Sequence, residues 1–216
     1  SFLVPSAEYL LGTDDLGYDI FSLLIWGTRI SMLIGVSAAL LGVGGGLIYG
    51  MIAGYAGGIV DKALMRISDI FQSLPNIPLF ILIAAYAGSS LRNIILIIAI
   101  FAIPRIGRVI SRQVISLKQN AYVQAAGMFG ASPLYLMKHH FFPELLPLVF
   151  TSLIEMAGRA ILMESGLAFL GIGDPSSKSW GMILHYALEY PSTYLTNAWT
   201  WWVMPPALFI ALLCVG

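Results

Sequence analysis

The chain has 216 residues, 58% of them hydrophobic and only 10% charged, with a mean hydropathy of +0.86. A soluble domain carries about one-quarter charged residues, so a soluble globular fold is excluded and a membrane-spanning one implied. The formal net charge of zero offers no basic surface to nucleic acid, and a single cysteine, Cys214, excludes an internal disulfide framework.

The opening stretch SFLVPSAEYLLGTDD has neither the basic start nor the apolar run of a signal peptide. The chain begins without Met and stops inside an apolar run, and it reads as a segment whose ends are missing. A bilayer core takes about 20 mostly apolar residues per helix, and five stretches approach that length: 30–53, 77–87, 93–110, 145–170 and 198–216. The expected fold is therefore all-α, one multi-pass transmembrane helical bundle over 1–216. Ahead of the first span, Asp14, Asp15 and Asp19 do not have the alternating spacing of a calcium loop, and they read as a polar turn capping the entering helix.

Within the first span, Gly42, Gly46, Gly50 and Gly54 recur every four residues, with Ala38 one step earlier. Such a smooth face lets membrane helices approach backbone to backbone, whereas Val43 reads as lying off it. The run is not a phosphate loop, since no Gly-x-x-x-x-Gly-Lys-Ser/Thr pattern occurs, so the chain has no nucleotide site of its own. Apolar residues from Ile59 to Leu74 recur at helical spacing with Asp61, Lys62, Arg66 and Asp69 between them, which predicts an amphipathic helix at the membrane interface. SLPNIP then breaks the chain at Pro75 and Pro78 before a short second span. Arg105, Arg108 and Arg112 form a basic stripe at the end of the third span, suited to anionic headgroups.

The passage YVQAAGMFGASPLYLMKHHFFPE interrupts the greasy runs. Asn120 is placed to cap a short helix over 121–129, Gly130 to end it in a left-handed conformation, and Ser132 with Pro133 to start a second that Pro143 closes. The helices leave Tyr122, Met128, Phe129, Leu134 and Tyr135 on a compact knob, a surface for another protein to cover. His139, His140 and Glu144 do not make a metal set, because Pro143 disturbs the helix that would align them. In the fourth span Glu155 and Arg159 are four apart and suited to pair. Together with Glu164 they are the ionisable candidates for a pathway. The Gly-, Pro- and Ser-rich stretch after Glu164, followed by Trp and Tyr, reads as an ordered loop before an anchored last helix.

Lysine and arginine counts set the orientation. One side collects Lys62, Arg66, Arg105, Arg108, Arg112, Lys118 and Lys138, the other Arg29, Arg92 and Lys178; with Arg159 inside a span, all eleven are accounted for. The side bearing 122–144 is expected to be cytoplasmic, with Cys214 near the cytoplasmic end of the last span.

Gln124, Ala125, Ala126, Gly130, Phe142 and Pro143 stand at the spacing of a Glu-Ala-Ala, three residues, Gly, hydrophobic-Pro signature. The chain thereby resembles the membrane permease subunits of binding-protein-dependent ABC importers. LGTDDLGYDIFSLLIWGTRISMLIG, AGYAGGIVDKALMRISDIF and ESGLAFLGIGDPSSKSWGMIL are similar to segments of the dipeptide, oligopeptide and nickel branch. Gln124 replaces the usual Glu, Tyr18 a common basic residue and Phe142 a Leu. The resemblance implies six spans in the intact subunit, a second permease subunit, two ATPase subunits that bind ATP and magnesium, an external substrate-binding protein and a cell-membrane location among lipids. It implies no cofactor in this chain, and it makes residues 121–137 an ATPase-coupling element. The competing reading is a secondary transporter or channel, disfavoured by the lack of a clear internal repeat.

Overall fold

The structure is a computed structural model that describes residues 3–215, except the side chains of Ser192, Tyr194, Cys214 and Val215. The expectation for the Cys214 side chain therefore lies outside the described residues. Among the described residues every regular element is a helix, and there is a single bridge pairing, between Thr13 and Asp19. Its contacts group into two units interleaved in sequence. The first contains Ser1–Ser37, Ile77–Ile95 and Ala157–Gly216; the second contains Ala38–Asn76 and Leu96–Met156.

Helix α1 (Ile20–Ala56) starts ten residues earlier than the hydropathy suggests. The reason is local: the Asp19 carboxylate accepts the backbone N–H groups of Phe21 (3.3 Å) and Ser22 (3.0 Å), supplying partners for donors that an uncapped helix leaves orphaned. Asp14 is buried and accepts the Tyr18 N–H at 2.7 Å, which closes the polar turn ahead of the cap.

In the second unit, α1 packs against α4 (Leu91–Leu117). A Cβ at Gly42 would lie 3.1 Å from Ala102 Cβ, at Gly46 2.7 Å from Ile106 Cβ, at Gly50 2.5 Å from the Gly107 carbonyl oxygen, and at Gly54 2.6 Å from the Ser111 carbonyl oxygen. Those distances leave no room for a side chain. Val43, one position along from Gly42, is also buried, at 1% exposure.

Helix α2 (Gly58–Ser73) is amphipathic in the sense that hydrocarbon requires. Three of its polar side chains bond the protein, while Lys62 and Arg66 are exposed: Asp61 accepts from Ser111 Oγ at 2.9 Å, Asp69 pairs with Arg108, and Ser68 donates to the Pro104 carbonyl at 3.1 Å. Ile59, Val60, Ile67 and Ile70 are exposed. Two of the three arginines in the basic stripe at the end of α4 are thus engaged by the protein, while Arg112 is exposed. Arg108 also donates to the Met65 carbonyl (3.2 Å), and Arg105 lies 3.8 Å from Glu155.

The chain breaks at Leu74, which is extended, and Pro75 before α3 (Asn76–Ala87). By length and composition three helical stretches can cross a membrane: Ile20–Ala56, Leu91–Leu117 and Pro133–Phe169. A fourth is reached if α2 and α3 form one broken span. Of the expected last span, 198–216, the described residues hold the shorter apolar helix Trp199–Leu213. Pro205 and Pro206 cannot donate backbone hydrogen bonds, and the helix is interrupted at Val203, between α10 (Trp199–Trp202) and α11 (Met204–Val215), with α9 (Ser192–Leu195) earlier in the same stretch.

Within the first unit, α8 (Trp180–Glu189) follows α7 (Phe142–Phe169) through a short loop. Trp180 is its anchor: the indole N–H donates to the Leu24 carbonyl and the backbone N–H to Ser31 Oγ, both at 3.1 Å, and the ring packs with Ile20, Leu24, Ile161, Ile183 and Trp202.

Gly50→Ala should destabilise the protein by about 1–3 kcal/mol through overpacking against α4. Gly44→Ala, where a Cβ meets nothing within 4 Å, should be neutral or stabilising. Thermal unfolding of the two variants in detergent distinguishes these outcomes, and equal melting temperatures would contradict the close contact.

Candidate functional site

The interrupted passage forms two short helices joined by a left-handed turn. Helix α5 (Ala121–Met128) follows Asn120, whose backbone is extended as an N-cap requires, but the Asn120 amide does not cap. It donates instead to the Tyr122 hydroxyl at 3.2 Å, so the expected side-chain cap is absent. At the other end, Gly130 has φ +84°, with the Ala131 N–H bonded to the Ala126 carbonyl (3.1 Å) and its own N–H to Gly127 (3.0 Å). This is the Schellman pattern, which satisfies the last carbonyls of α5 and requires the left-handed residue. Ser132 Oγ accepts from the Tyr135 N–H (3.2 Å) at the start of α6 (Pro133–Leu136).

Pro143 does not close the second helix. The chain passes from α6 through a π-helical segment, Met137–Phe141, directly into α7, with the Phe142 N–H bonded to Met137 five residues back. A π turn shifts the hydrogen-bonding register, so the helix tolerates a proline at its edge where an α turn would clash. One helical stretch therefore runs from Pro133 to Phe169, 37 residues.

The outer face of these elements is open and apolar: Phe129 is 92%, Met128 86% and Leu134 75% exposed, with Tyr122 and Tyr135 about half-exposed. Gln124 and Ala125 are exposed, Ala126 is half-buried, and Gln124 Nε2 donates to the Gln119 carbonyl at 3.2 Å. Val123, Leu136, Phe141 and Leu145 are buried beneath. His139 stacks on Tyr135 at 4.4 Å between ring centroids, and His140 packs between Tyr122 and Tyr135, so both rings contribute to this platform. Sequence reasoning missed its brace. Lys118 Nζ donates to the Tyr55 carbonyl at 2.7 Å and lies over the Tyr55 ring, which in turn meets Phe141. The aromatic and cationic residue types were the available signal; their partners, 63 positions apart in one case, were not.

The pathway candidates are distributed over both units. In the second unit, Glu155 reaches Arg105, a partner that helical spacing did not indicate. In the first, Arg159 lies on α7, and Glu164 is 1% exposed. Glu164 Oε1 accepts Ser179 Oγ at 2.6 Å, while Oε2 and the neighbouring Ser165 Oγ are buried without partners. Ser179 Oγ also accepts the Met182 N–H (3.2 Å), so one hydroxyl both caps α8 and ties it to α7. In the loop between them, Asp174 accepts from Ser176 Oγ (2.6 Å) and from the Leu91 N–H at the start of α4 (2.9 Å). The hydrogen bond from Ser176, with the backbone donors behind it, holds its carboxyl below the usual 3.8.

Residues 46–215 match the family of binding-protein-dependent transport system inner membrane components. The chain is 35% identical over 97% of its length to the dipeptide transport system permease protein DppC of Bacillus subtilis (strain 168), and spans 65% of that relative. It is 35% identical over 85% of its length to the glutathione transport system permease protein GsiD of Pectobacterium atrosepticum, spanning 61% of it. It is 38% identical over 99% to the probable D,D-dipeptide transport system permease protein DdpC of Escherichia coli (strain K12), spanning 70%. A chain of the MetNI methionine ABC transporter superposes with a TM-score of 0.71 at 20% identity, over 91% of each chain, and shares the fold. The chain belongs to the family of binding-protein-dependent transport system inner membrane components.

Two predictions test the ties in the first unit. Glu164→Ala should expose α8 to faster amide hydrogen exchange, with a loss of about 1–3 kcal/mol from stranding Ser179, whereas Glu164→Gln retains an acceptor and should stay close to the parent. Because the folded Asp174 carboxyl sits below its ordinary value, its contribution is fully present above pH 3.8 and disappears as pH falls through the lower folded value. Asp174→Asn should therefore melt below the parent at pH 7 and converge with it under acid conditions below about pH 3.8, read by thermal scans in detergent; a gap independent of pH would contradict this tie.

Proposed function

We propose that this chain is the pathway-forming subunit of an ATP-driven importer, that it works with a second permease subunit and an external binding protein, and that residues 121–137 are the element held by an ATPase partner. ATP and magnesium are bound by that partner, since the chain has no phosphate loop. The observation that carries the reading is the exposed apolar face of Met128, Phe129 and Leu134 on a platform whose underside is buried. Each such side chain, once covered, contributes about 1.5–3 kcal/mol before the costs of ordering and association. Membership in a binding-protein-dependent family favours this reading over an ion-gradient carrier. The roles of the relatives, dipeptide, D,D-dipeptide and glutathione transport, favour a peptide cargo over nickel. The lysine and arginine distribution supports a cytoplasmic position for this face.

Gly130 sets the angle between the two short helices. A Cβ there meets nothing within 4 Å, so a substitution is penalised only through its backbone at φ +84°. Gly130→Val should cost about 1–3 kcal/mol locally and misalign the face. The expected result is normal membrane insertion with loss of substrate-stimulated ATPase activity or of ATPase co-purification in the reconstituted complex, while Gln124→Glu retains both. Full coupling in Gly130→Val would contradict the assignment.

A further inference from the structure

A groove of about 480 Å³ opens in the first unit at the start of α1, lined among others by Tyr18, Asp19, Leu23, Trp26, Arg29 and Lys178. It contains two cations, each held against an aromatic ring: Arg29 Cζ lies 4.6 Å from the Trp26 ring centre and Lys178 Nζ 4.8 Å from that of Tyr18. Among the described residues neither cation is in an ion pair. The groove's own carboxylate, Asp19, is occupied by the N–H groups of Phe21 and Ser22 and by Ser22 Oγ at 2.5 Å. Asp14 is close enough to feel the Lys178 charge, but it is buried, accepts the Tyr18 N–H, and has its carboxyl raised by burial above the ordinary 3.8. The groove itself thus holds two cations and one engaged carboxylate, while Asp14, Asp15 and Glu189 line a neighbouring pocket that Lys178 also borders.

Apart from Ser22 and Ser176, the rest of its lining is apolar, and Leu23, Trp26 and Ile30 lie on the same helix, α1, as the exposed Phe21, Ile25, Leu33 and Val36. On a helix that crosses a membrane, such residues meet acyl chains, and Trp and Tyr at its end occupy the headgroup level. Guanidinium and ammonium groups held at that level suit a phosphodiester oxygen, with Arg as the planar donor and Lys as the point charge.

We propose that this groove is a binding site for one anionic phospholipid, its phosphodiester between Arg29 and Lys178 and an acyl chain along Leu23, Trp26 and Ile30. The ligand chemistry is a phosphate ester attached to hydrocarbon. Charge complementarity selects the headgroup, and the exposed apolar residues on the same helix distinguish a lipid from a soluble anion or a docked protein.

The test uses the intact subunit in its transporter complex, reconstituted in nanodiscs with phosphatidylglycerol or phosphatidylcholine brominated on the acyl chain. The readout is the part of the tryptophan fluorescence quenching that Trp26→Phe removes. Brominated phosphatidylglycerol should produce it at roughly thirtyfold lower mole fraction than phosphatidylcholine, given two cations at the surface. Arg29→Gln with Lys178→Gln should remove that preference and leave quenching by phosphatidylcholine unchanged, which also shows that the variant is folded. Equal quenching by both lipids in the parent would overturn the proposal. So would absence of any Trp26-dependent quenching, the result expected if a protein covers the face, and so would loss of the preference in millimolar inorganic phosphate, which would make this a soluble-anion site.

Discussion

The contact between α1 and α4, in which a Cβ at Gly50 would stand 2.5 Å from the Gly107 carbonyl oxygen, sets the terms for the second unit. In hydrocarbon there is no gain from hiding apolar surface, because lipid tails are as apolar as leucine. Helices hold together through dispersion at very short range and through polar groups that have nowhere else to bond. Four glycines at one-turn spacing supply the close approach. The neighbouring polar links, Asp61 with Ser111, Asp69 with Arg108 and Ser68 with the Pro104 carbonyl, then tie α2 to the same helix. Each of those side chains would be costly facing lipid, so the same constraint that brings α1 and α4 together turns the polar edge of α2 inward.

The π-helical segment connects this framework to the exposed knob. A closed second helix ending at Pro143 would have left the knob joined to the next span by a loose turn. By widening one turn, the chain carries α6 into α7 without interruption, and the apolar face of Leu134 and Tyr135 belongs to the same 37-residue helical stretch as Glu155 and Glu164. The underside of the knob is held by Phe141 against Tyr55 and by Lys118 on the Tyr55 carbonyl.

In the first unit, α8 is held by a small set of directional bonds. Trp180 donates from both of its N–H groups, Ser179 caps the helix and reaches Glu164, and Asp174 captures the first N–H of α4. The partnerless Glu164 Oε2 and Ser165 Oγ are the polar groups that this arrangement leaves unsatisfied. They lie beside the hydroxyl that links α8 to α7, where any change in that link would be felt first.

Composition and periodicity alone determined that the chain is helical and membrane-spanning, because the solvent leaves few alternatives for a backbone that must satisfy its own hydrogen bonds. The four-residue glycine register, the Gly130 turn, the Ser132 cap and the amphipathic α2 were legible for the same reason: each depends on residues within one or two turns of each other. Tertiary structure decided what local pattern does not contain. The Asn120 side chain bonds the Tyr122 hydroxyl and not a backbone N–H of α5; Arg108 bonds Asp69 across 39 residues; and Pro143 is carried within a helix because the turn before it widens. Glu155 met Arg105 for the same cause. Helical spacing fixes which side chains share a face, whereas the partner of a polar group is chosen by whichever distant donor or acceptor the packed helices bring within 3 Å or so.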